Sequence, residues 1–191
     1  MVQLSQPRQT TRLTMRRFEL DDLDDLALIC ANEEVNRYLY TEPRDRTETL
    51  ETLQGRLAKP EEATEDNILN VAIELRDTKR VIGDFMLRWV GNEHRQGEMG
   101  GSLHPDFHRL GVASEVYEEL LVLAFTQYGL HRVVGRCDAR NAASVRSLEN
   151  VGLHQEAHLV ENEFVKGEWT DEIVMAIRKD EWERQRASRE V

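Results

Sequence analysis

The sequence predicts a single α/β domain in which a mixed, mostly antiparallel sheet of about seven strands carries helices on both faces. Three observations predict it. Strand-like alternation recurs along the chain, most plainly where Leu69, Val71, Ile73 and Leu75 alternate with Asn70, Ala72 and Glu74. The later strand-like segments are separated by helical patterns, as where Ala113, Val116, Tyr117, Leu120, Leu121 and Ala124 fall on one apolar stripe. A chain of 191 residues, 40% apolar and 32% charged, suits one core with a well-solvated surface.

Residues 1–10 read as a flexible lead-in and residues 11–191 as the folded domain. Arg12 to Phe18 is a first strand, with Leu13 and Met15 set against Thr14 and Arg16. Asp21 to Cys30 is acidic at its front and apolar at Leu23, Leu26, Ala27 and Cys30, an amphipathic helix whose carboxylates suit its positive end. A short helix over Glu33–Leu39 follows, then a break at Tyr40–Pro43 and a third helix over Thr47–Lys59 carrying Leu50, Leu53 and Leu57. Pro60 to Asp66 is a polar loop. Ile68–Leu75 and Val81–Val90 form a hairpin across the turn Asp77–Arg80, with Gly83 a candidate bulge, and a turn at Gly91–Gln96 leads to a strand over Gly97–Leu103.

From there strand and helix alternate. A helix opens after Gly111, a strand covers His131–Asp138, and a helix covers Ala142–Asn150. Asn141 is its N-cap, Ala142, Val145 and Leu148 are its inward face, and Gly152 stands where a left-handed cap is wanted. Strands over Leu153–Val165 and Glu172–Ile177 pair across a turn at Lys166–Trp169, and a charged helix over Asp180–Arg189 ends the chain.

Composition narrows the function. A net charge of −11 opposes sequence-independent nucleic-acid binding, because a phosphate backbone would be repelled. No run approaches the roughly 20 apolar residues that cross a bilayer, and Met1 to Arg8 lacks the apolar region of a secretion signal. The expectation is a cytoplasmic protein with no membrane partner. Cys30 and Cys137, far apart and in apolar contexts, read as buried thiols. His104 and His108 have zinc-like spacing, but Pro105 breaks the helix such a pair needs, so no metal is expected. There is no Gly-x-Ser-x-Gly elbow for a serine hydrolase.

The acidic chain nevertheless holds a locally basic zone, with Arg109, Arg132, Arg136, Arg140 and Arg146 joined by His104, His108 and His131. Such a zone suits a phosphorylated small ligand. The stretch His104 to Val116 gives it a seat. A strand end passes through a short loop into a helix whose first backbone amides have no intrahelical partner and whose dipole adds roughly half a positive charge. Gly111 and Ala113 let a bulky pyrophosphate approach the main chain. A second helix start, after Asn141, lies on the next strand.

These pieces together resemble the GNAT superfamily of acyl-CoA N-acyltransferases, in its ribosomal-protein N-terminal acetyltransferase (RimJ/RimL) branch. The resemblance rests on Thr11–Phe18, Gly97–Gly100, Leu103–Pro105, His108–Ala113, Gly129–Arg132, Asn141–Ser144 and Gly167–Glu172. In the family loop an Arg or Gln precedes two residues, a Gly, one residue and a Gly or Ala. Here His108 holds the first position, and Arg109 and Leu110 replace the usual Gly and Lys. The resemblance implies a sheet splayed beside His104–Gly111, acetyl-CoA or another acyl-CoA as co-substrate, an amine-bearing acceptor (a peptide N-terminus or a small molecule), and a homodimer. It places the cofactor against Ser102, Leu103 and His104, against His108, Arg109, Leu110, Gly111, Val112, Ala113 and Ser114, and against Asn141, Ser144 and Arg146. Ser144 would hydrogen-bond the leaving thiolate, and Asn141 would contact the pantetheine arm; both also suit plain helix capping.

A carboxylate near the acyl carbon could take the amine proton directly or through water. Glu98 and Glu163 are the candidates, Glu163 through the resemblance. Neutralising a lysine-type amine of pKa roughly 10.4 costs about 4 kcal/mol near pH 7.4, whereas an α-amine near 7.7 costs about 0.5 kcal/mol. An α-amine therefore needs little help from a base. The competing reading is a non-catalytic acyl-CoA sensor on the same fold.

Overall fold

The computed structural model describes residues 6–59, 68–90 and 93–189; the loop expected at Pro60–Asp66 and the start of the turn expected at Gly91–Gln96 lie outside the described residues. One sheet organises the molecule. Its strands are β1 (Arg8–Gln9), β2 (Leu13–Arg16), β3 (Ile68–Leu75), β4 (Val81–Val90), β5 (Gln96–Leu103), β6 (Arg132–Asp138), β7 (His154–Val165) and β8 (Glu168–Arg178). They lie in the order β1-β2-β3-β4-β5-β6-β8-β7. The helices are α1 (Leu23–Cys30), α2 (Glu33–Asn36), α3 (Arg46–Leu57), α4 (Val112–Val122), α5 (Ala142–Glu149) and α6 (Lys179–Arg189). The mixed α/β architecture is as the sequence predicts, with one strand more.

That extra strand corrects the flexible lead-in at its far end. Arg8 and Gln9 pair with Met15 and Thr14, and side chains fasten the segment to α4: Arg8 to Glu119 at 2.6 Å, Arg12 to Glu115 at 2.6 Å, and Thr10 to Glu115. The pattern of hydrophobicity could not show it, because polar contacts hold it.

Apolar faces fix the layers. Val116, Tyr117, Leu120, Leu121 and Ala124 are buried as their spacing predicts, against strand residues that include Met15, Ile73, Leu87, Met99 and Met175. The α4 helix then widens into a π turn over Leu123–Gln127. On the other face Leu23, Leu26 and Cys30 of α1 and Leu53 of α3 pack on Phe18, Ala72 and Val81.

The only parallel pairing among the described strands joins β5 to β6, through Gln96↔Arg132, Gly97↔Val133 and Glu98↔Val134. Beyond Glu98 the two strands part, while β5 stays paired to β4 as far as Leu103. The sheet is thus splayed from Met99 and Gly135 onward.

Several local expectations shift. The α2 helix stops at Asn36 rather than Leu39, because the buried Asn36 amide donates to Cys30 O at 2.8 Å and Asn32 O at 2.9 Å. The β4 bulge falls at Ile82, beside Gly83, since Ile73 faces Gly83 and Glu74 faces Val81. Ala142 is exposed rather than inward, leaving Leu148 as the buried anchor of α5. The last hairpin turns at Lys166–Gly167, both with positive φ, so β8 begins at Glu168 and Trp169 joins the strand. Strand β7 carries two irregularities: Glu156 is skipped between Gln155 and Ala157, and Val160, Glu161 and Asn162 together face Asp171.

Candidate active site

The splay places two helix starts side by side. Gly111, with φ 74°, turns the chain into α4; a residue with a Cβ is strained in that left-handed region. The first α-helical bond runs from Glu115 N to Gly111 O at 3.1 Å, so the amides of Val112, Ala113 and Ser114 precede the helical ladder. Among the described residues no side chain caps them. Arg12 steadies the loop from outside, donating to Leu110 O at 2.9 Å. The α5 start is capped instead: Asn141 Oδ1 accepts Ser144 N–H at 3.1 Å. Asn141 is therefore an N-cap as well as a cavity residue.

Two cavities meet at this seam. One, of about 660 Å³, runs along the parted end of β5 beneath the α4 loop and is lined by Gly101, Ser102, Leu103, His108, Arg109, Ala113, Asn141 and Ser144, together with Glu34, Val35, Arg37, Tyr38 and Leu39. The other, of about 600 Å³, lies on the far side and is lined by Tyr40, Met86, Arg88, Glu98, Met99, Arg136, Cys137, Asp138, Glu163 and Glu172. Tyr38, Leu39, Gly101, Tyr117, Asn141 and Ser144 line both. A ligand in the first cavity and a ligand in the second can meet at these residues.

Charge in the second cavity is organised around Glu172, a carboxylate only 3% exposed. Arg136 donates to it at 2.8 Å, the Tyr40 hydroxyl at 3.2 Å and the Asn162 amide at 3.3 Å. Burial of the hydroxyl, then the Glu172 charge, pushes Tyr40 up to about 12, which keeps the phenol a donor. Glu98 is held by Arg88 at 2.6 Å, with Arg136 at 3.8 Å. Glu163 has a different partner, accepting from the neutral amide of Asn162 at 3.2 Å. In the second cavity, burial pushes the Cys137 thiol up to about 11, and a hydrogen bond from Ser144 opposes the rise.

The structure brings most of the sequence-predicted residues to the seam. Ser102, Leu103, His108, Arg109, Ala113, Asn141 and Ser144 line the first cavity, and Glu98 and Glu163 the second. The side chains of His104, Leu110, Val112, Ser114 and Arg146 line neither. Val112 is 2% exposed in the core, Ser114 accepts from Asn150 at 3.3 Å, and His104 accepts from Asp106 N at 3.4 Å. Gly111 lines neither cavity and serves to turn the chain into α4.

The basic zone is largely paired. Arg132 is bonded to Glu156, Arg136 to Glu172, and Arg140 to Asp138 and Glu168 at 2.7 Å each. Of its arginines, Arg109 alone lines the first cavity. Sequence reasoning missed Tyr38, Tyr40, Arg136 and Glu172 as site residues. Glu172 follows Asp171 at the front of the apolar run Ile173–Ile177, where an acidic residue gives no local sign of burial. Among the described residues no cluster of three or more His, Cys, Asp or Glu is arranged around a metal position, and no helix is long and apolar enough to cross a membrane.

A cavity beneath the α4 loop and a carboxylate-lined cavity adjoining it suit a transferase, which must bring two substrates together. The sequence model of the acetyltransferase (GNAT) domain matches residues 12–154, and the chain belongs to that family. It is 27% identical over 173 residues to the uncharacterized N-acetyltransferase YnaD of Bacillus subtilis, covering 91% of this chain and 97% of that one. It is 26% identical over 161 residues to the spermidine N(1)-acetyltransferase of Vibrio cholerae, covering 84% and 90%. The fold is shared with a GNAT-family acetyltransferase from Bacillus anthracis (TM-score 0.82, 23% identity, 92% and 100% covered). It is also shared with the Vibrio cholerae spermidine N-acetyltransferase solved with CoA and spermine (TM-score 0.76, 24% identity, 91% and 99% covered). The protein is an N-acyltransferase, an enzyme that passes an acyl group from acyl-CoA to an amine.

Proposed function

We propose that the enzyme moves an acetyl group from acetyl-CoA to a primary amine, a peptide α-amine or a small-molecule amine, by direct attack. The observation that carries this reading is the meeting of the two cavities at Asn141 and Ser144. The pyrophosphate of CoA lies on the amides of Arg109 to Ser114, where preorganised donors need no rearrangement to meet negative charge. Its thioester reaches the seam between Ser144 and Cys137, and no metal takes part. The acceptor enters from the Glu163 side.

The amine nitrogen attacks the thioester carbonyl carbon, the C–S bond breaks, and the nitrogen proton passes to Glu163 directly or through water. Ser144 donates to the departing thiolate, and Asn141 contacts the pantetheine arm. Glu163 fits the base role better than Glu98, because Arg88 and Arg136 already claim the Glu98 carboxylate. No acyl-enzyme is needed, so the protein's contribution is positioning and proton removal. In this reading the acyltransferase domain of residues 11–191 also takes in β1 from Arg8, and the enzyme belongs to the RimJ/RimL branch and works in the cytoplasm as a homodimer with no nucleic-acid partner.

Calorimetry with CoA and acetyl-CoA, followed by thiol release over an amine panel, tests it. Binding of both with release on at least one amine, and a loss of about 10²-fold or more in kcat for Glu163→Gln, are the expected results. Binding without release on any amine would return the chain to the sensor reading.

A further inference from the structure

We infer that the acceptor is a primary amine that brings one positive charge on an apolar body into the second cavity, and that polyamines are poor acceptors. The inference rests on the proposed acyl transfer and concerns only which amine the site takes.

Four carboxylates line the acceptor cavity: Glu98, Asp138, Glu163 and Glu172. Three have guanidinium partners. Arg88 holds Glu98 at 2.6 Å, Arg136 holds Glu172 at 2.8 Å, and Arg140 holds Asp138 at 2.7 Å. Among the described residues no Lys, Arg or His stands within ion-pair distance of Glu163, whose hydrogen-bond partner is the neutral Asn162 amide. The cavity therefore has one carboxylate ready for an incoming ammonium.

A second ammonium on the same ligand has no such place. To reach Glu172 it would have to displace Arg136, and to reach Glu98 it would meet both Arg88 and Arg136, about half-exposed guanidiniums that repel it. The rest of the wall is uncharged: Tyr38, Leu39, Met86, Val90, Met99 and Leu148 form its apolar part, with Asn141 and Ser144 as neutral polar groups. Apolar surface continues outward: Tyr40 is 60% and Val90 41% exposed, and Leu159, beside Glu172 in register, is 36% exposed. One charge and an apolar body match this distribution; a string of charges does not.

The test measures kcat/KM with acetyl-CoA for phenethylamine, for a leucyl-glycine amide, and for spermidine and spermine. At least one of the first two should exceed both polyamines by at least tenfold, and the two arms separate a free monoamine from a peptide N-terminus. Arg136→Gln frees Glu172 and removes the second partner of Glu98, so it should shift the monoamine-to-spermidine ratio toward spermidine by at least tenfold. Arg88→Gln, at a more exposed position, should shift it the same way if Arg136→Gln folds poorly. Spermidine equal to or better than both monoamines in the wild type would overturn the inference while leaving the acyltransferase reading intact. An unchanged ratio in both folded variants would also overturn it. CoA binding with no turnover of any amine would sink the proposed function and this inference with it.

Discussion

Asp171 accepts the backbone N–H of Glu161 at 2.9 Å through Oδ1, while its Oδ2 pairs with His158 Nε2 at 2.7 Å. The Glu161 N–H bond and then the His158 contact hold the Asp171 carboxyl below the usual carboxylate range. Here Val160, Glu161 and Asn162 face a single residue of β8, and Glu161 takes φ 46°. In an unbulged ladder Glu161 would stand opposite Thr170 and Glu163 would slide toward the hairpin tip. Asp171 thus helps to hold the register in which Glu163 lines the second cavity. Asp171→Ala should raise KM for the amine roughly three- to tenfold with CoA affinity unchanged. Amide exchange checks the cause: Glu161 should lose protection, while Ala139, bonded to the Asp171 carbonyl at 2.9 Å, keeps it.

Gly111→Glu should raise the CoA dissociation constant by roughly tenfold or more, because a carboxylate enters beside the unpartnered amides of Val112 to Ser114. The fold should survive, since a Cβ at Gly111 meets nothing nearer than Arg12 Nη2 at 3.7 Å. Gly111→Ala carries the same left-handed strain, about 1–2 kcal/mol, without the charge. Calorimetry on both variants separates strain from repulsion, and equal CoA affinities in Gly111→Glu and wild type would remove the loop as the phosphate seat.

Ser144 and Asn141 should fail in different ways. Asn141→Ala removes the cap on Ser144 N–H and should cost about 1 kcal/mol in a urea melt. Ser144→Ala leaves that backbone bond intact and loses only the weak contact with the Cys137 thiol, so its melt should shift less than that of Asn141→Ala while kcat falls and CoA affinity holds. A normal kcat in Ser144→Ala would reduce the serine to a cavity-lining residue.

Cys137 predicts an alkaline weakness. Its thiol is raised from 9.0 to about 11 in the fold, mainly by burial. Its stabilising contribution is full below the unfolded value and is lost as pH rises through the folded one, because over that window only the unfolded state releases the proton. The urea midpoint of the wild type should therefore fall between pH 9 and pH 11 more steeply than that of Cys137→Ala. Parallel slopes would show that other groups govern the alkaline transition.

The fold was legible wherever one residue's burial repeats at a fixed period. The α4 stripe, the β3–β4 hairpin and the Asn141 cap follow from spacing and side-chain chemistry alone. Of the residues that line the two cavities, local motif and resemblance had singled out Ser102, Leu103, His108, Arg109, Ala113, Asn141, Ser144, Glu98 and Glu163. Tyr40, Arg136 and Glu172 come from three distant segments, and a buried glutamate becomes a site residue only through the partners that tertiary packing supplies. The β7 bulge was hidden for a related reason: Asp171 and His158 stabilise it across strands, and neither alters the local alternation that announces a strand.

Among the described strands β7 is also the last of the sheet, with none of them beside its outer edge. A straight edge of 12 residues bearing Leu159, Val160, Phe164 and Val165 would be a template on which neighbouring molecules could extend the sheet. The extra residues at Glu156 and at Val160–Asn162 kink that edge, and Glu156, Glu161 and Glu163 place negative charge along it. Concentrated solutions of the protein should therefore resist sheet-to-sheet stacking, and a variant with β7 straightened should be the one that forms fibres.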